Sequence, residues 1–199
     1  MKLRQFLPLS AVLLLAAPGA VSAADSLGVD APFPVGFAVF DPVQFPDAET
    51  DVSGFRLSLF YGRNADVMGL DVGGLVSIAD GDVFGLELSG LVNSAGSSSG
   101  SLQIAGIANN CYEDFCGLQI AGIANKAGGD VEGGQIGCFN MAADMDGLQI
   151  GVYNKSAKTA GLQIGVVNEA DSMSGVQIGL VNIIHDSPLP CMVVMNVCF

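Results

Sequence analysis

The chain has 199 residues, and its 27 glycines, its lack of tryptophan and its low charged fraction of 14% favour strands and turns over helices. Half of the residues are hydrophobic, which is enough for one domain with a buried core. The formal net charge of −13 argues against binding to nucleic acid or to an anionic lipid surface, because both repel an acidic protein.

Residues 1–23 are typical of a secretory signal peptide. Lys2 and Arg4 form a short positive region, and residues 11–17 form an apolar stretch that is too short to span a bilayer as a helix. A Val-Ser-Ala sequence follows and predicts cleavage after Ala23. We therefore expect an exported protein that resides at the cell surface, in the outer membrane or in the periplasm.

Residues 24–53 differ in composition from the chain that follows them. Four prolines and four phenylalanines fall within the 19 residues 31–49. A stack of repeats needs a cap over its first exposed face. We interpret residues 24–53 as an irregular N-terminal cap whose phenylalanine side chains cover the first repeat.

A repeat fills residues 54–182. Its core phrase is Gly-Leu-Gln-Ile-Gly, then two apolar residues and Asn, and frequent glycine disfavours a helix. The alternation of Leu148, Gln149 and Ile150 is that of a strand, and we expect the Leu and Ile to point inward and the Gln outward. At spacings of 14 to 16 residues, the units begin at Gly54, Gly69, Gly85, Ser101, Gly117, Gly133, Gly147, Gly161 and Gly175.

Two further repeated positions indicate the architecture. An apolar residue such as Val131 or Met145 stands two positions before most unit starts, and a small residue such as Ala127 or Ala170 stands two positions after most Asn residues. A solvated hairpin loop has no reason to keep these residues, whereas a coil that wraps around a core does. The prediction is an all-β fold, a β-solenoid of about nine 14–16-residue coils with N- and C-terminal caps. The alternative is an antiparallel β-barrel or meander. The repeat is nearly long enough for a membrane-spanning strand, and the chain ends in Phe199, as many outer-membrane barrels do.

Two polar positions are predicted to form structural ladders, in which side-chain amides stacked from coil to coil bond to one another. We also expect the Asn residues to sit at corners, because asparagine tolerates a left-handed turn. A row of Gln that binds a sugar or a peptide is the functional alternative. The Gln ladder comprises Gln103, Gln119, Gln135, Gln149, Gln163 and Gln177, and the Asn ladder comprises Asn93, Asn109, Asn125, Asn140, Asn154, Asn168 and Asn182.

Residues 183–199 end the repeat. Pro188 and Pro190 interrupt it, and the apolar strand from Met192 to Phe199 is expected to close the stack.

The five cysteines suit an oxidising compartment. Cys111 with Cys116 and Cys191 with Cys198 are candidate disulfide pairs, and Cys138 would be left over. Spacing alone leaves other connectivities open.

Aspartates recur three residues before several unit starts. Asp82, Asp114, Asp130 and Asp144 would stack about 4.8 Å apart in a solenoid, so they are candidate Ca²⁺ ligands. Solvated turn aspartates are the alternative reading of the same pattern. No Cys and His spacing suggests a zinc site, and we predict no cofactor.

The segment Gly96–Gly100 formally matches the Gly-x-Ser-x-Gly pattern of a nucleophilic serine. Such a serine needs a histidine and an acid within reach, and the only histidine, His185, lies about five coils away. We therefore predict no catalytic residue.

Residues 59–73, the Gly-Leu-Gln-Ile-Gly repeats with their Asn, and residues 181–199 resemble the bacterial surface repeat-containing protein family of spirochaetes and other Gram-negative bacteria. The resemblance implies an exported, surface-associated protein and supplies no catalytic motif. We expect a structural or interaction role, no enzymatic activity, an unknown surface or envelope partner and an association with the outer membrane. The alternatives are an outer-membrane β-barrel and a solenoid enzyme that acts on polysaccharide.

Overall fold

The structure, a computed structural model, describes residues 32–40 and 43–198. The signal peptide predicted at residues 1–23 lies outside the described residues. So do residues 24–31 of the predicted cap and the final Phe199.

The described residues form sixteen β-strands in one continuous sheet that coils on itself. The strands are β1 (Phe33–Phe40), β2 (Val43–Phe45), β3 (Val52–Ser58), β4 (Tyr61–Asn64), β5 (Val67–Gly73), β6 (Val76–Ser89), β7 (Val92–Ala105), β8 (Ala108–Cys111), β9 (Phe115–Ala121), β10 (Ala124–Ala127), β11 (Val131–Ile136), β12 (Phe139–Met141), β13 (Asp144–Ile150), β14 (Tyr153–Ile164), β15 (Val167–Ile184) and β16 (Cys191–Cys198).

Strands of successive repeats pair in parallel, and equivalent positions lie side by side. Gln135 on β11, for example, is the partner of Gln119 on β9 and of Gln149 on β13. The chain is therefore a β-solenoid, and the predicted fold class is confirmed. Parallel pairing of neighbouring repeats does not fit the antiparallel barrel or meander considered from the sequence.

Each turn of the solenoid has two strand segments and two corners. The first segment carries the Gly-Leu-Gln-Ile phrase, as in β9, β11 and β13, and the second carries the Asn, as in β8, β10 and β12. The longer strands β6, β7, β14 and β15 bend through at least one corner without a break. One corner follows the phrase, and the other precedes the next unit, so the two corners lie at opposite ends of the segments.

The expected direction of the side chains in the core phrase was wrong. Gln149 is fully buried, whereas Leu148 and Ile150 lie half-buried on the outer surface of the coil. Alternation along one strand explains the reversal, because Met145 and Gln149 on β13 are separated by an even number of positions and so share a face. Once the apolar residue before the unit start is inside, the Gln must be inside too.

The two further repeated positions, one two residues before each unit start and the other two residues after each Asn, form the apolar core, as predicted. Buried clusters join a medium apolar side chain of the first segment to a small one of the second. Phe115, Val131 and Met145, for example, pack with Cys111 and Ala127.

The expected corner role of the Asn residues was wrong. The Asn side chains are buried within the second segment. Among the described non-glycine residues, only Val194 has a positive φ.

The glycine at the unit start has a positive φ, a backbone conformation that residues with a Cβ adopt only with strain. Its φ is 131° at Gly133 and 136° at Gly147. A Cβ at Gly133 would lie 2.1 Å from the carbonyl oxygen of Gly117 in the preceding turn. Where Ser101 replaces this glycine, the positive φ moves to Gly100, and the pairing shifts by one residue there.

The stack extends beyond the nine predicted coils at its first end, which is the N-terminal end. Strand β1, which we had placed in the N-terminal cap, pairs in parallel with β3 and adds a turn, so the stack has roughly ten. β2 then folds back on β1 in antiparallel fashion.

At the other end of the stack, β16 pairs antiparallel with β15. Because successive coils pair in parallel, β16 is not another coil and lies where the sequence predicted a closing strand.

Candidate functional site

The Gln side chains form a continuous hydrogen-bonded ladder inside the solenoid. Gln119 donates from Nε2 to Oε1 of Gln103 over 2.9 Å, and Gln149 donates to Gln135 over the same distance. Gln135, Gln163 and Gln177 continue the pattern. Every amide therefore donates towards the first end of the stack. Each interior rung has both a donor and an acceptor partner, which offsets the cost of burying a polar group.

The Asn side chains form a second ladder that runs in the opposite direction. Asn93 donates from Nδ2 to Oδ1 of Asn109 in the following turn over 2.9 Å. The same bond repeats at every step to Asn182. Most of these amides also donate to a backbone carbonyl, such as that of Ile150 from Asn140. The two rows of amide dipoles oppose one another, so their fields largely cancel.

Three ionisable residues occupy the first positions of the Gln ladder. Arg56, Asp71 and Glu87 are successive partners in the same register that leads to Gln103. Each is only 1% exposed. The Gln ladder predicted from the sequence began at Gln103 and missed them, although each stands two residues after a unit start, as every Gln of the ladder does.

Arg56 and Asp71 form a buried, two-pronged ion pair. Nε of Arg56 donates to Oδ1 of Asp71 over 2.8 Å, and a second guanidinium nitrogen contacts Oδ2. The remaining nitrogen donates to Oδ1 of Asn64 at 3.1 Å and to the carbonyl of Ile78 at 3.0 Å. Each of the three guanidinium nitrogens therefore has a hydrogen-bond partner, which offsets the cost of burying the charge.

Glu87 is the unusual group of this cluster. Burial, and then the nearby carboxylate of Asp71, raise its pKa to about 8, against the lowering effects of Arg56 and of the hydrogen bond from Gln103. At neutral pH the side chain is therefore largely protonated. Its Oε2 accepts the hydrogen bond from Gln103, whereas Oε1 has no hydrogen-bond partner, so Glu87 is the last acceptor of the Gln ladder.

The last end of the Gln ladder meets the closing strand. Gln177 has an amide oxygen without a hydrogen-bond partner, and Asn196 has an amide nitrogen without one. The two residues are direct partners in the β15–β16 register, and both are buried. Asn196 thus occupies the next rung position and offers the type of group that Gln177 lacks.

The cysteines predicted to pair are not brought together. Cys111 is buried in the core at the end of β8, whereas Cys116 is exposed on the outer face of β9. Cys191 and Cys198 stand at the two ends of β16, roughly 23 Å apart along an extended strand. All five thiols are free in this arrangement. Burial raises the pKa of the Cys111 thiol to about 11, so it is a weak nucleophile.

The candidate calcium ligands line the corner that precedes each unit. The carboxylate of Asp114 accepts a hydrogen bond from the backbone N–H of Asp130 at 2.9 Å, Asp144 pairs with Lys158 at 3.1 Å, and Asp82 accepts from Ser97. These bonds assign the aspartates a role in holding adjacent corners together. Residues 32–40 and 43–198 contain no group of three or more Cys, His, Asp or Glu side chains arranged to hold a metal ion.

The serine segment lies beside an acidic cleft of about 340 Å³ at the same corner, lined by Ser97, Ser98, Ser99, Glu113, Asp114, Phe115, Cys116, Asp130 and Glu132. The hydroxyl of Ser98 is buried and is engaged with Ser101 and with the carbonyl of Val83.

His185 lies elsewhere, 3.5 Å from Glu169. Hydrogen bonds from Tyr153 and Lys155 lower the pKa of Glu169 to about 2. The structure therefore does not bring the serine and the histidine together.

The opposite corner carries a row of exposed apolar side chains that the sequence analysis did not single out. We name it the apolar ridge. The members other than Cys138 are between 36% and 64% exposed, and Cys138 is exposed too. The ridge comprises Phe60, Leu75, Leu91, Ile107, Ile123, Cys138, Val152, Val166 and Leu180.

Two flanking rows widen the ridge. On one side stand the outward aliphatic residues of the first segment, such as Ile120 and Ile150, and on the other stand residues such as Val92 and Tyr153 of the second. None of the three rows contains a charged residue. Soluble monomers seldom expose a contiguous apolar surface of this length, so the ridge is the candidate functional surface.

No family model, no curated protein and no solved structure matches this chain. Within the part of the chain that the structure describes, no helix is long and apolar enough to cross a lipid bilayer.

Proposed function

We propose that the chain is an exported, surface-associated repeat protein with a structural or interaction role, and that it is not an enzyme. The observation that carries the proposal is the apolar ridge, an uncharged surface that runs along the solenoid. A rigid rod held by two amide ladders is suited to presenting such a surface at a fixed spacing. The export signal at residues 1–23 and the resemblance to surface repeat-containing proteins also support this role.

Export is tested by expressing the full chain and a variant lacking residues 2–23 in a Gram-negative host. Mass spectrometry of the recovered full-chain product should give the mass of a protein that begins at Ala24, found outside the cytoplasm. The shortened variant should remain in the cytoplasm. A cytoplasmic full-chain product that still carries residues 1–23 would overturn the proposal.

Surface exposure is tested on intact cells. Protease added outside the cells should degrade the protein if it is displayed, whereas periplasmic protein should be degraded only after the outer membrane is permeabilised. Degradation in neither case, with the protein still in the envelope, would contradict an exposed interaction surface.

A further inference from the structure

The Asn ladder has an unsatisfied end inside the solenoid. Its first member, Asn93, is fully buried, and its Oδ1 has no hydrogen-bond partner among the described residues. The side-chain oxygens of Ser77 and Ser89 are buried there as well, and they too lack a partner. We propose that one buried water molecule binds these three groups and serves as the first donor of the Asn ladder. The inference is independent of the function proposed above.

Each interior rung of the Asn ladder donates to two fixed acceptors. Nδ2 of Asn109 donates to Oδ1 of Asn125 and to the carbonyl oxygen of Ile120, both over 2.9 Å. Asn93 makes the same two bonds one turn earlier, to Asn109 over 2.9 Å and to the carbonyl of Ile104 over 3.0 Å. The amide nitrogen of a rung therefore always lies between the next Asn and one backbone carbonyl.

Ser77 occupies the rung position that precedes Asn93. Ser77 is the direct partner of Asn93 in the register of β6 with β7, and Leu88 is the direct partner of Ile104. An amide at residue 77 would therefore donate to Oδ1 of Asn93 and to the carbonyl oxygen of Leu88. Serine has no amide nitrogen, so these two acceptors lack the side-chain donor that the later rungs supply. The water is placed where this nitrogen would lie.

Small side chains provide the room and a further hydroxyl. Serine has fewer side-chain heavy atoms than asparagine, and the difference frees a volume close to that of one water, ~30 Å³. A Cβ at Gly73 would lie 2.2 Å from Oγ of Ser77 and 3.5 Å from Cβ of Ser89, so the two serines approach each other beside this glycine. The next two turns carry Ala105 and Ala121 at the position of Ser89. The additional hydroxyl thus stands next to the rung that lacks an amide.

A water molecule matches the donors and acceptors of this site. Its two hydrogens go to Oδ1 of Asn93 and to the carbonyl oxygen of Leu88, and its oxygen accepts from the hydroxyls of Ser77 and Ser89. A buried water typically has two to four such partners. A metal cation would bring a full charge among four groups that carry no formal charge, and burying an unpaired charge costs far more than burying a neutral ligand.

The test is a high-resolution crystal structure of the full chain, purified as the host processes it. We expect a spherical density peak about 2.5–3.0 Å from Oδ1 of Asn93, from the carbonyl oxygen of Leu88 and from at least one of the two serine hydroxyls. In Ser77→Asn, the new Nδ2 should replace the peak and donate to the same two acceptors. Ser174→Asn is the matched control, because it makes the same change at an exposed position and should keep the peak.

A second measurement counts the water in solution. Oxygen-17 magnetic relaxation dispersion reports the number of long-lived internal waters. Ser77→Asn should contain one fewer than the native protein, and Ser174→Asn should contain the same number. The crystal structure of the native protein tests the site without any substitution, so the proposal stays open to refutation even if Ser77→Asn does not fold.

Three results would contradict the proposal. The first is a native structure in which Ser77 or Ser89 donates directly to Asn93, with no density peak beside them. The second is an equal number of long-lived waters in the native protein and in Ser77→Asn. The third is a peak with contact distances of about 2.3–2.6 Å that disappears when Na⁺ and K⁺ are replaced by choline, because it would identify a metal cation as the ligand. None of these results bears on export or surface exposure, which are tested separately.

Discussion

Gln103 donates a hydrogen bond of 2.7 Å from its Nε2 to Oε2 of Glu87, one turn towards the first end of the stack. The bond has the same direction as every Gln-to-Gln bond beyond it. Glu87 is therefore where the neutral ladder meets the ion pair of Arg56 and Asp71. Its other carboxyl oxygen, Oε1, has no hydrogen-bond partner, so the protonation state of this one group affects how well the junction is satisfied.

We predict that Glu87→Gln stabilises the protein increasingly as the pH rises. The pKa of Glu87 is about 8 in the folded chain, above its ordinary value of 4.5, so folding takes up a proton between these two values. The stabilisation from the protonated group is complete below about pH 4.5 and is lost as the pH approaches 8, with a slope of at most about 1.4 kcal/mol per pH unit. Glutamine keeps the neutral hydrogen bonds and does not titrate.

The measurement is the free energy of unfolding from denaturant titrations at pH 5, 6, 7 and 8. The difference between variant and native protein should grow steadily over this range. Asp80→Asn at an exposed position is the control, and its difference should change little. A constant difference for Glu87→Gln would show that Glu87 is ionised in the fold throughout this range.

The interior position of the Gln residues makes a second prediction. Gln149→Leu should lower the free energy of unfolding by about 2–4 kcal/mol, because it removes the bonds to Gln135 and from Gln163 and leaves a buried acceptor without a partner. The adjacent change Leu148→Gln alters an outward, half-buried side chain and should cost about 1 kcal/mol or less. Chemical denaturation of both variants measures the contrast, and the reverse order would mean that the Leu side chain lies inside.

The architecture of this chain could be predicted from its sequence, but the direction of its side chains was predicted wrongly. The 14–16-residue period and the concealed apolar positions before each unit lead to a solenoid, because only a wrapped coil keeps them. The error at Gln149 came from treating Leu and Ile as core residues on hydrophobicity alone. The even spacing between Met145 and Gln149 on one strand would have corrected it.

The charged cluster could have been predicted from the sequence, whereas the apolar ridge could not. Arg56, Asp71 and Glu87 could have been found by reading the third position of the first three units, since the register was already known from the sequence. The apolar ridge could not, because hydrophobicity does not tell whether Ile107 or Ile123 is covered. Exposure depends on the bend of the backbone at the corner, which the sequence pattern leaves undetermined.

The backbone of the unit-start glycine gives a third prediction. Gly133→Ala should lower the free energy of unfolding by at least about 2 kcal/mol, because a residue with a Cβ is strained at a φ of 131° and would collide with the Gly117 carbonyl. Gly134→Ala, one residue later, is the control. Its Cβ would meet the flexible end of Leu118 at 2.9 Å and the carbonyl oxygen of Leu148 at 3.6 Å, an ordinary contact distance, so we expect a change within about 1 kcal/mol. Thermal and denaturant unfolding of the pair compare them, and equal losses would refute the backbone explanation.

The buried ion pair gives a fourth prediction. Arg56→Met should destabilise the fold by roughly 3–5 kcal/mol, because Asp71 keeps a buried charge without its guanidinium partner. Arg63→Met is the matched control, since Arg63 pairs with Asp80 at the surface and such pairs contribute about 1 kcal/mol or less. Adding Asp71→Leu to Arg56→Met should recover much of the loss, as measured by denaturant unfolding, because no buried charge remains in the pair. If the double variant is no more stable than Arg56→Met alone, the loss arises from the contacts of Arg56 with Asn64 and Ile78 and not from the stranded carboxylate.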